Sequence, residues 1–281
     1  MNISIKKGIV GKKIVCTGSW DDSIITYMQE ENITELELNA AKGWTGKNIS
    51  FLPELSSFLT AFTIIGSQID DVKEVNSLDN LTYLNIQTYH DTEIDFTQFP
   101  KLEVCSIFWN QKLESIGKCT TLRDLFVYKF KGSDFSLFSK LKKLERLRIK
   151  GAQIDSLMGV DSLKNLKKLE MYLLTKLTSL SGIESSNNLE MLVIDTCKKI
   201  ENIKEVSELK KLKVLAINNC GEIESLAPLV ELKKLQQVLF WESTNIKDGD
   251  LSILKRLPSL EKVAYQNRRH YSHKREEILE E

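Results

Sequence analysis

Leu189–Ile203 reads LEMLVIDTCKKIENI, and Leu212–Leu226 reads LKVLAINNCGEIESL. Laid over one another, Leu189, Leu192, Ile194, Cys197, Ile200 and Ile203 fall on Leu212, Leu215, Ile217, Cys220, Ile223 and Leu226, with an offset of 212 − 189 = 23 at every pair. In each stretch two apolar residues flank a variable one, which predicts a short strand with one face inward. A pattern that returns at a fixed period of this size is the mark of a solenoid. Each unit leaves an apolar face that only its neighbour can cover.

The same pattern runs outward in both directions. The first apolar residues of the predicted strands are Leu36, Phe62, Leu84, Cys105, Leu125, Leu147, Leu169, Leu192, Leu215, Val238 and Val263. The gaps are 26, 22, 21, 20, 22, 22, 23, 23, 23 and 25, so the uneven units stand at the ends. Between strands the apolar residues recur every third position, as in Ile203-Val206-Leu209-Leu212 and Leu226-Leu229-Leu232-Leu235. A period of three predicts a 3₁₀ or extended return leg, because an α-helix would repeat near 3.6 and need more residues. The expected fold is α/β: a curved solenoid with a parallel concave sheet of about eleven strands and a short 3₁₀ or extended convex side.

The ends depart from the repeat and divide the chain into three parts. Residues 1–32 are expected to cap the first unit, with a hairpin broken by Gly8 and Gly11, then a helix starting in Ser19-Trp20-Asp21-Asp22. Ile24, Ile25 and Met28 would face inward on that helix. Residues 33–266 are repeats, and Trp44, in the long link Gly43–Leu52, is expected to pack on the cap. Residues 267–281, NRRHYSHKREEILEE, read as a charged cap and frayed helix in which only Tyr271, Ile278 and Leu279 can pack.

Composition excludes several functions. Lys and Arg number 39 against 39 Asp and Glu, which argues against a nucleic-acid partner recognised through bulk positive charge. Met1–Val15 holds no apolar run of export-signal length and no stretch reads as a membrane span, so a cytoplasmic protein is expected. The five cysteines are odd in number and form no CxxC pair, which predicts reduced thiols. Of the histidines, His90 beside Asp91 reads as part of a turn. His270 and His273 would share one face of a helix, but no third ligand stands at a known spacing. No phosphate-binding or nucleophile motif occurs. No catalytic residue, cofactor or metal is therefore expected.

With their LxxLxL strands, residues 33–265 resemble the bacterial leucine-rich-repeat proteins of about 22 residues per unit, internalins among them. The end segments SWDD, GWTGKNISFL and RRHYSHKREE resemble small cytoplasmic bacterial repeat proteins akin to the immunity proteins of toxin systems. In many leucine-rich repeats an Asn after the strand bonds to the turn backbone. Here that place is taken by Ser67, Tyr89, Asn110, Phe130, Ala152, Leu174, Cys197, Cys220 and Ser243, so Cys197 and Cys220 are expected in the core.

Side chains alternate across a strand, so the residues between and beside the LxL pairs should line the concave face. The column between them runs Glu37, Thr63, Asn85, Ser106, Phe126, Arg148, Glu170, Val193, Ala216, Leu239 and Ala264. Its middle, with the flanking columns, gathers Phe108, Trp109, Phe126, Tyr128, Arg146, Arg148, Lys150 and Tyr172, with Trp241 further along. Aromatic residues with arginine are the composition of an interface hot spot. The expected function is a monomeric, non-catalytic module that grips a protein partner carrying acidic groups. A toxin domain held by an immunity protein is one form of it, and a regulatory adaptor docking another enzyme is the alternative. A metal-dependent enzyme using His270 and His273 is the outside reading.

Overall fold

A computed structural model of the chain describes residues 2–279. The chain forms two compact units, Met1–Val127 and Tyr128–Glu281. The first opens with β1 (Ile3–Lys7) and β2 (Lys12–Cys16), an antiparallel hairpin. Its turn is held by Glu35, 3% exposed, whose carboxylate accepts the backbone N–H groups of Ile9 and Val10, both at 2.7 Å, and of Gly11. Helix α1 (Ser23–Glu30) follows and buries Ile24 and Met28, while Ile25 stays half-buried. The helix starts directly after Ser19-Trp20-Asp21-Asp22, and of that stretch it is the Asp21 carboxylate that holds the start. Asp21 accepts from both the N–H and the hydroxyl of Ser23, so the carboxylate nearest the first free N–H groups takes the role.

Strand β3 (Glu35–Asn39) then pairs parallel with β2, and β4 (Ala61–Ile65), β5 (Tyr83–Gln87) and β6 (Val104–Phe108) continue the parallel ladder. Trp44 is buried and meets Phe51 edge-on, and Trp20 stacks on the same ring. Strand β7 (Asp124–Tyr128) crosses the boundary between the units in sequence.

The second unit contains β8 (Arg146–Lys150), β9 (Lys168–Tyr172), β10 (Met191–Asp195) and β11 (Val214–Asn218). It continues through the two-residue β12 (Glu222–Ile223), β13 (Gln237–Phe240), the two-residue β14 (Asn245–Ile246) and β15 (Lys262–Tyr265). Strands β8, β9, β10, β11, β13 and β15 form one parallel ladder; β12 and β14 pair separately. Leu192 lies beside Leu215 and Ile194 beside Ile217, the 23-residue offset of the sequence turned into a lattice. Each of the eleven residues predicted to start a strand is the second residue of one.

The return legs are 3₁₀ turns, among them Leu52–Leu55, Lys73–Ser77 and Gln111–Lys118 in the first unit. Val160–Ser162, Lys204–Glu208 and Ala227–Glu231 do the same in the second, with one short helix, α2 (Ser252–Lys255). The core is the column of LxL residues and the every-third apolar residues, nearly all with no exposure, Leu84, Ile86, Leu147, Ile149, Leu209 and Leu212 among them.

The tail differs from a frayed helix. A single 3₁₀ turn, Arg275–Glu277, stands near its end, and the segment before it is tied to the last repeat. Tyr271 accepts the N–H of Ile246 and packs edge-on against Phe240 and Tyr265. Arg268 donates to the carbonyls of Glu242 and Thr244, and Ile278 is buried. Free backbone groups at the end of the ladder draw the chain into extended contact, where a helix would leave them unmet. The tail's last two residues lie outside the described residues.

Candidate functional site

The strand face of the second unit is organised by one buried carboxylate. Pairing sets Arg148 beside Glu170 and Lys150 beside Tyr172. Glu170 was expected to line an open face, yet it is 5% exposed. Arg146 Nε donates to its Oε1 at 2.7 Å, and Tyr172 Oη donates to its Oε2 at 2.7 Å. Burial alone would raise the Glu170 pKa. The hydrogen bonds from Arg146 and Tyr172, with the charges of Arg146 and Arg148, outweigh it and hold the carboxyl below its ordinary value. The Tyr172 phenol is pushed up, first by burial and then by the Glu170 carboxylate it serves. Arg146 and Tyr172 are thereby locked, and part of the arginine charge is met internally.

Around this centre Tyr128 and Arg148 are half-buried and Lys150 is exposed. The Tyr128 ring carries Lys129 Nζ at 5.3 Å from its centroid and lies against Gly151, where an added Cβ would meet it at 3.4 Å. Trp241 is not brought to this group. It follows β13, three strands on from β9, roughly 14 Å at about 4.8 Å per strand, and takes Arg275 of the tail over its ring.

In the first unit the corresponding face begins with Glu37, also expected in the open and only 4% exposed. Lys13 and Lys42 each reach it at 2.6 Å, and Asn39 donates to it at 3.0 Å. Burial opposes its charge, but these partners pull its pKa down to about 2. Asn85 and, in the second unit, Ala216 are likewise buried where an exposed column was expected. Asn85 accepts from the Gln87 amide two residues on in the same strand.

Phe108, Trp109 and Phe126 are half-buried in the first unit. Phe108 and Trp109 line a cleft of about 660 Å³ at the ends of β4 to β6, together with Tyr89, which sits 5.4 Å from the Phe108 ring. Asp70, Asp71 and Asp91 form its acidic lining. Thr88 and His90 complete it, 1% and 8% exposed. His90 Nδ1 accepts the Thr92 N–H at 3.2 Å, so the proton of the neutral ring sits on Nε2. Burial lowers the His90 pKa against the pull of Asp71 and Asp91, and the ring is neutral at pH 7. Tyr89 was read as filling the slot behind the strand. It is 60% exposed and His90 goes inward instead. Ser67 and Ser243 are exposed too, and beside Ser243 it is Thr244 that is buried and accepts the Cys220 N–H. These residues were missed as a group because each contributes one turn. The available signal was the recurrence of acid and aromatic residues in IGSQIDD, QTYHDT and FWNQK after three successive strands.

Elsewhere Phe130, Ala152, Leu174, Cys197 and Cys220 fill the slot and are buried. Asn110 alone of the nine is an Asn there; it accepts the Lys112 N–H and donates to the His90 carbonyl. Burial pushes the Cys197 thiol up to about 12 and that of Cys220 to about 11, and each lies within sulfur hydrogen-bond reach of backbone carbonyls. All five cysteines are buried free thiols. His270 and His273 share no helix face: His270 Nε2 meets the Ile246 carbonyl at 3.0 Å, and His273 Nδ1 meets the Ser272 hydroxyl.

A ladder of parallel strands with 3₁₀ return legs is the architecture of this chain, and its overall fold is shared with known structures. An internalin, inlF of Listeria monocytogenes, matches 90% of this chain and 75% of its own at a TM-score of 0.66 and 19% identity. The fold is a leucine-rich-repeat solenoid. The functional domain of internalin J of Listeria monocytogenes, which includes a cysteine ladder, matches 91% of this leucine-rich-repeat chain and 64% of its own, with a TM-score of 0.50 and 21% identity. The plant peptide hormone receptor RGFR1, in complex with RGF2, matches 94% and 52%, at 0.51 and 14%. At these identities the likeness is one of fold. Neither a family model nor a curated protein matches the sequence. Among the described residues no helix is long and apolar enough to cross a membrane.

Proposed function

We propose that this leucine-rich-repeat chain is a non-catalytic protein-binding module whose partner lies on the strand face of the second unit, over Tyr128, Arg148, Lys150 and Tyr172. One observation carries the reading. Aromatic and basic side chains stand half-buried at variable strand positions, on a base made rigid by the Arg146–Glu170–Tyr172 hydrogen bonds. Pre-ordered aromatic anchors lose little entropy on binding and gain by filling partner pockets. Arg148 and Lys150 favour a partner that presents carboxylates. The peptide hormone receptor RGFR1, of the same fold and in complex with RGF2, supports a binding role. The finer identity we propose is an immunity-type protein acting in the cytoplasm, which covers an acidic face of a toxin domain; it is drawn from the end segments SWDD and RRHYSHKREE.

The test begins with a partner recovered by co-purification with the products of neighbouring genes. Lys150→Glu, at an exposed position, and Tyr128→Ala should each weaken that complex at least about tenfold, or ~1.4 kcal/mol, with the melting curve near that of the parent. Lys210→Glu and Lys211→Glu, exposed on a return leg, should leave affinity unchanged. A complex that survives both strand-face changes and is lost with the return-leg pair would overturn the assignment.

A further inference from the structure

The cleft at the ends of β4 to β6 has the wrong sign for the partner chemistry of the second unit. Its aromatic wall is Tyr89, Phe108 and Trp109, and its charged lining is entirely acidic. Two of the acids are already engaged. Asp91 meets Lys112 at 2.7 Å, and Asp71 accepts from the Lys73 N–H and the Thr92 hydroxyl with Lys73 Nζ at 3.6 Å. Asp70 is exposed and has no hydrogen-bond or ion-pair partner among the described residues. Of the other lining residues, Thr88 and His90 carry buried polar atoms, Oγ1 and Nε2, with no hydrogen-bond partner among the described residues. A buried polar atom left unmet costs on the order of 1–3 kcal/mol, so two in one cleft call for an occupant.

We propose that this cleft receives an arginine side chain presented by a protein partner, an inference that rests on the protein-binding reading above. A guanidinium is flat, stacks on aromatic faces and offers paired N–H donors to a carboxylate. Asp70 supplies that carboxylate, and Phe108 and Trp109 supply the stacking wall. Thr88 Oγ1 is an acceptor suited to a further N–H of the same group. His90 explains why the occupant is a residue within a peptide rather than a bare cation. Its Nε2 carries a proton and needs an acceptor, which a backbone carbonyl beside the arginine provides. Because the ring is neutral, it does not repel the guanidinium.

The experiment titrates N-acetyl-arginine N-methylamide into the full ¹⁵N-labelled chain and follows the Trp109 indole N–H and the Thr88 and Thr92 amides. Saturable shifts confined to this cleft are expected. The citrulline analogue keeps the shape and the amides but lacks the charge, and it should bind at least about tenfold more weakly. Asp70→Asn should weaken the arginine probe by a similar factor, and it leaves the fold intact because Asp70 holds nothing in place. N-acetyl-arginine, which keeps the acetyl group but carries a free α-carboxylate toward Asp71 and Asp91, should also bind more weakly than the amide. Lys150→Glu in the second unit should not change the titration, so failure of the partner assignment there is read separately. No saturable shift at these three residues overturns the proposal. So does equal binding of the citrulline analogue, an unchanged affinity in Asp70→Asn, or tighter binding of N-acetyl-arginine than of the amide.

Discussion

The turns that leave the strands differ between the two units. After β7 to β11 the chain enters a left-handed residue at once: Lys129, Gly151, Leu173, Thr196 and Asn219, with φ between 51° and 69°. The next residue, Phe130, Ala152, Leu174, Cys197 or Cys220, is then swung into the core. The first four donate their N–H to the last residue of the following strand, as Leu173 does to Asp195 and Thr196 to Asn218, and Asn219 donates to Trp241 just past β13. After β4 to β6 in the first unit no residue has a positive φ. There the turns are wider and polar. Asn110 bonds its own turn, and Thr88 and His90 go inward while Tyr89 stays out. One device repeated buries an apolar residue at the same place behind each of these strands. Where it is absent over three repeats, the edge carries the cleft in which Thr88 Oγ1 and His90 Nε2 are left unmet among the described residues.

The largest expected effect breaks the comparison directly. By sequence alignment Tyr89 and Leu174 occupy the same slot, but only Leu174 is buried. Leu174→Ala should destabilise the chain by about 2–5 kcal/mol, and Tyr89→Ala by less than about 1 kcal/mol. Equal shifts of the denaturation midpoint would mean the two turns are alike after all.

A second measurement concerns charge on the strand face. The Glu37 pKa falls from 4.5 to about 2 on folding, so its stabilisation is complete above pH 4.5 and is lost as pH drops towards 2. The contribution is on the order of 2 kcal/mol, less than the whole shift implies because Lys42 is half exposed and solvent screens it. Glu37→Gln should flatten the acid limb of a stability–pH profile over that window. An unchanged slope would show that the lysines do not hold the carboxylate. Glu170→Gln offers the matching probe of the second unit.

The smallest effect sharpens the reading of the turns. A leucine in the left-handed region is strained, and Leu173, with φ 58°, is 39% exposed. Leu173→Gly should therefore raise stability by about 0.5–1 kcal/mol, even after the entropy that glycine adds to the unfolded chain. A glycine placed at Thr88, where no left-handed residue is needed, should lower it. Loss of stability at both sites would remove strain as the distinction between the units.

Strand positions and return legs could be read from the sequence because both are local periodicities, two and three, that burial enforces in every repeat. The parallel register followed from the 23-residue offset of Leu192 and Ile194 against Leu215 and Ile217, since slipping by one would turn their side chains outward. Packing across strands decided the rest. Glu37 and Glu170 look like open-face residues until Lys13 and Arg146 arrive from neighbouring strands, 24 residues away in each case, and join the nearby Lys42 and Tyr172. The sign of φ at Lys129, Leu173 or Thr196 is imposed by the strand that must be met next, against the preference of the residue itself. The cleft needed tertiary structure most of all. Asp70, His90 and Trp109 belong to three different turns, and only the stacking of repeats brings them to one wall.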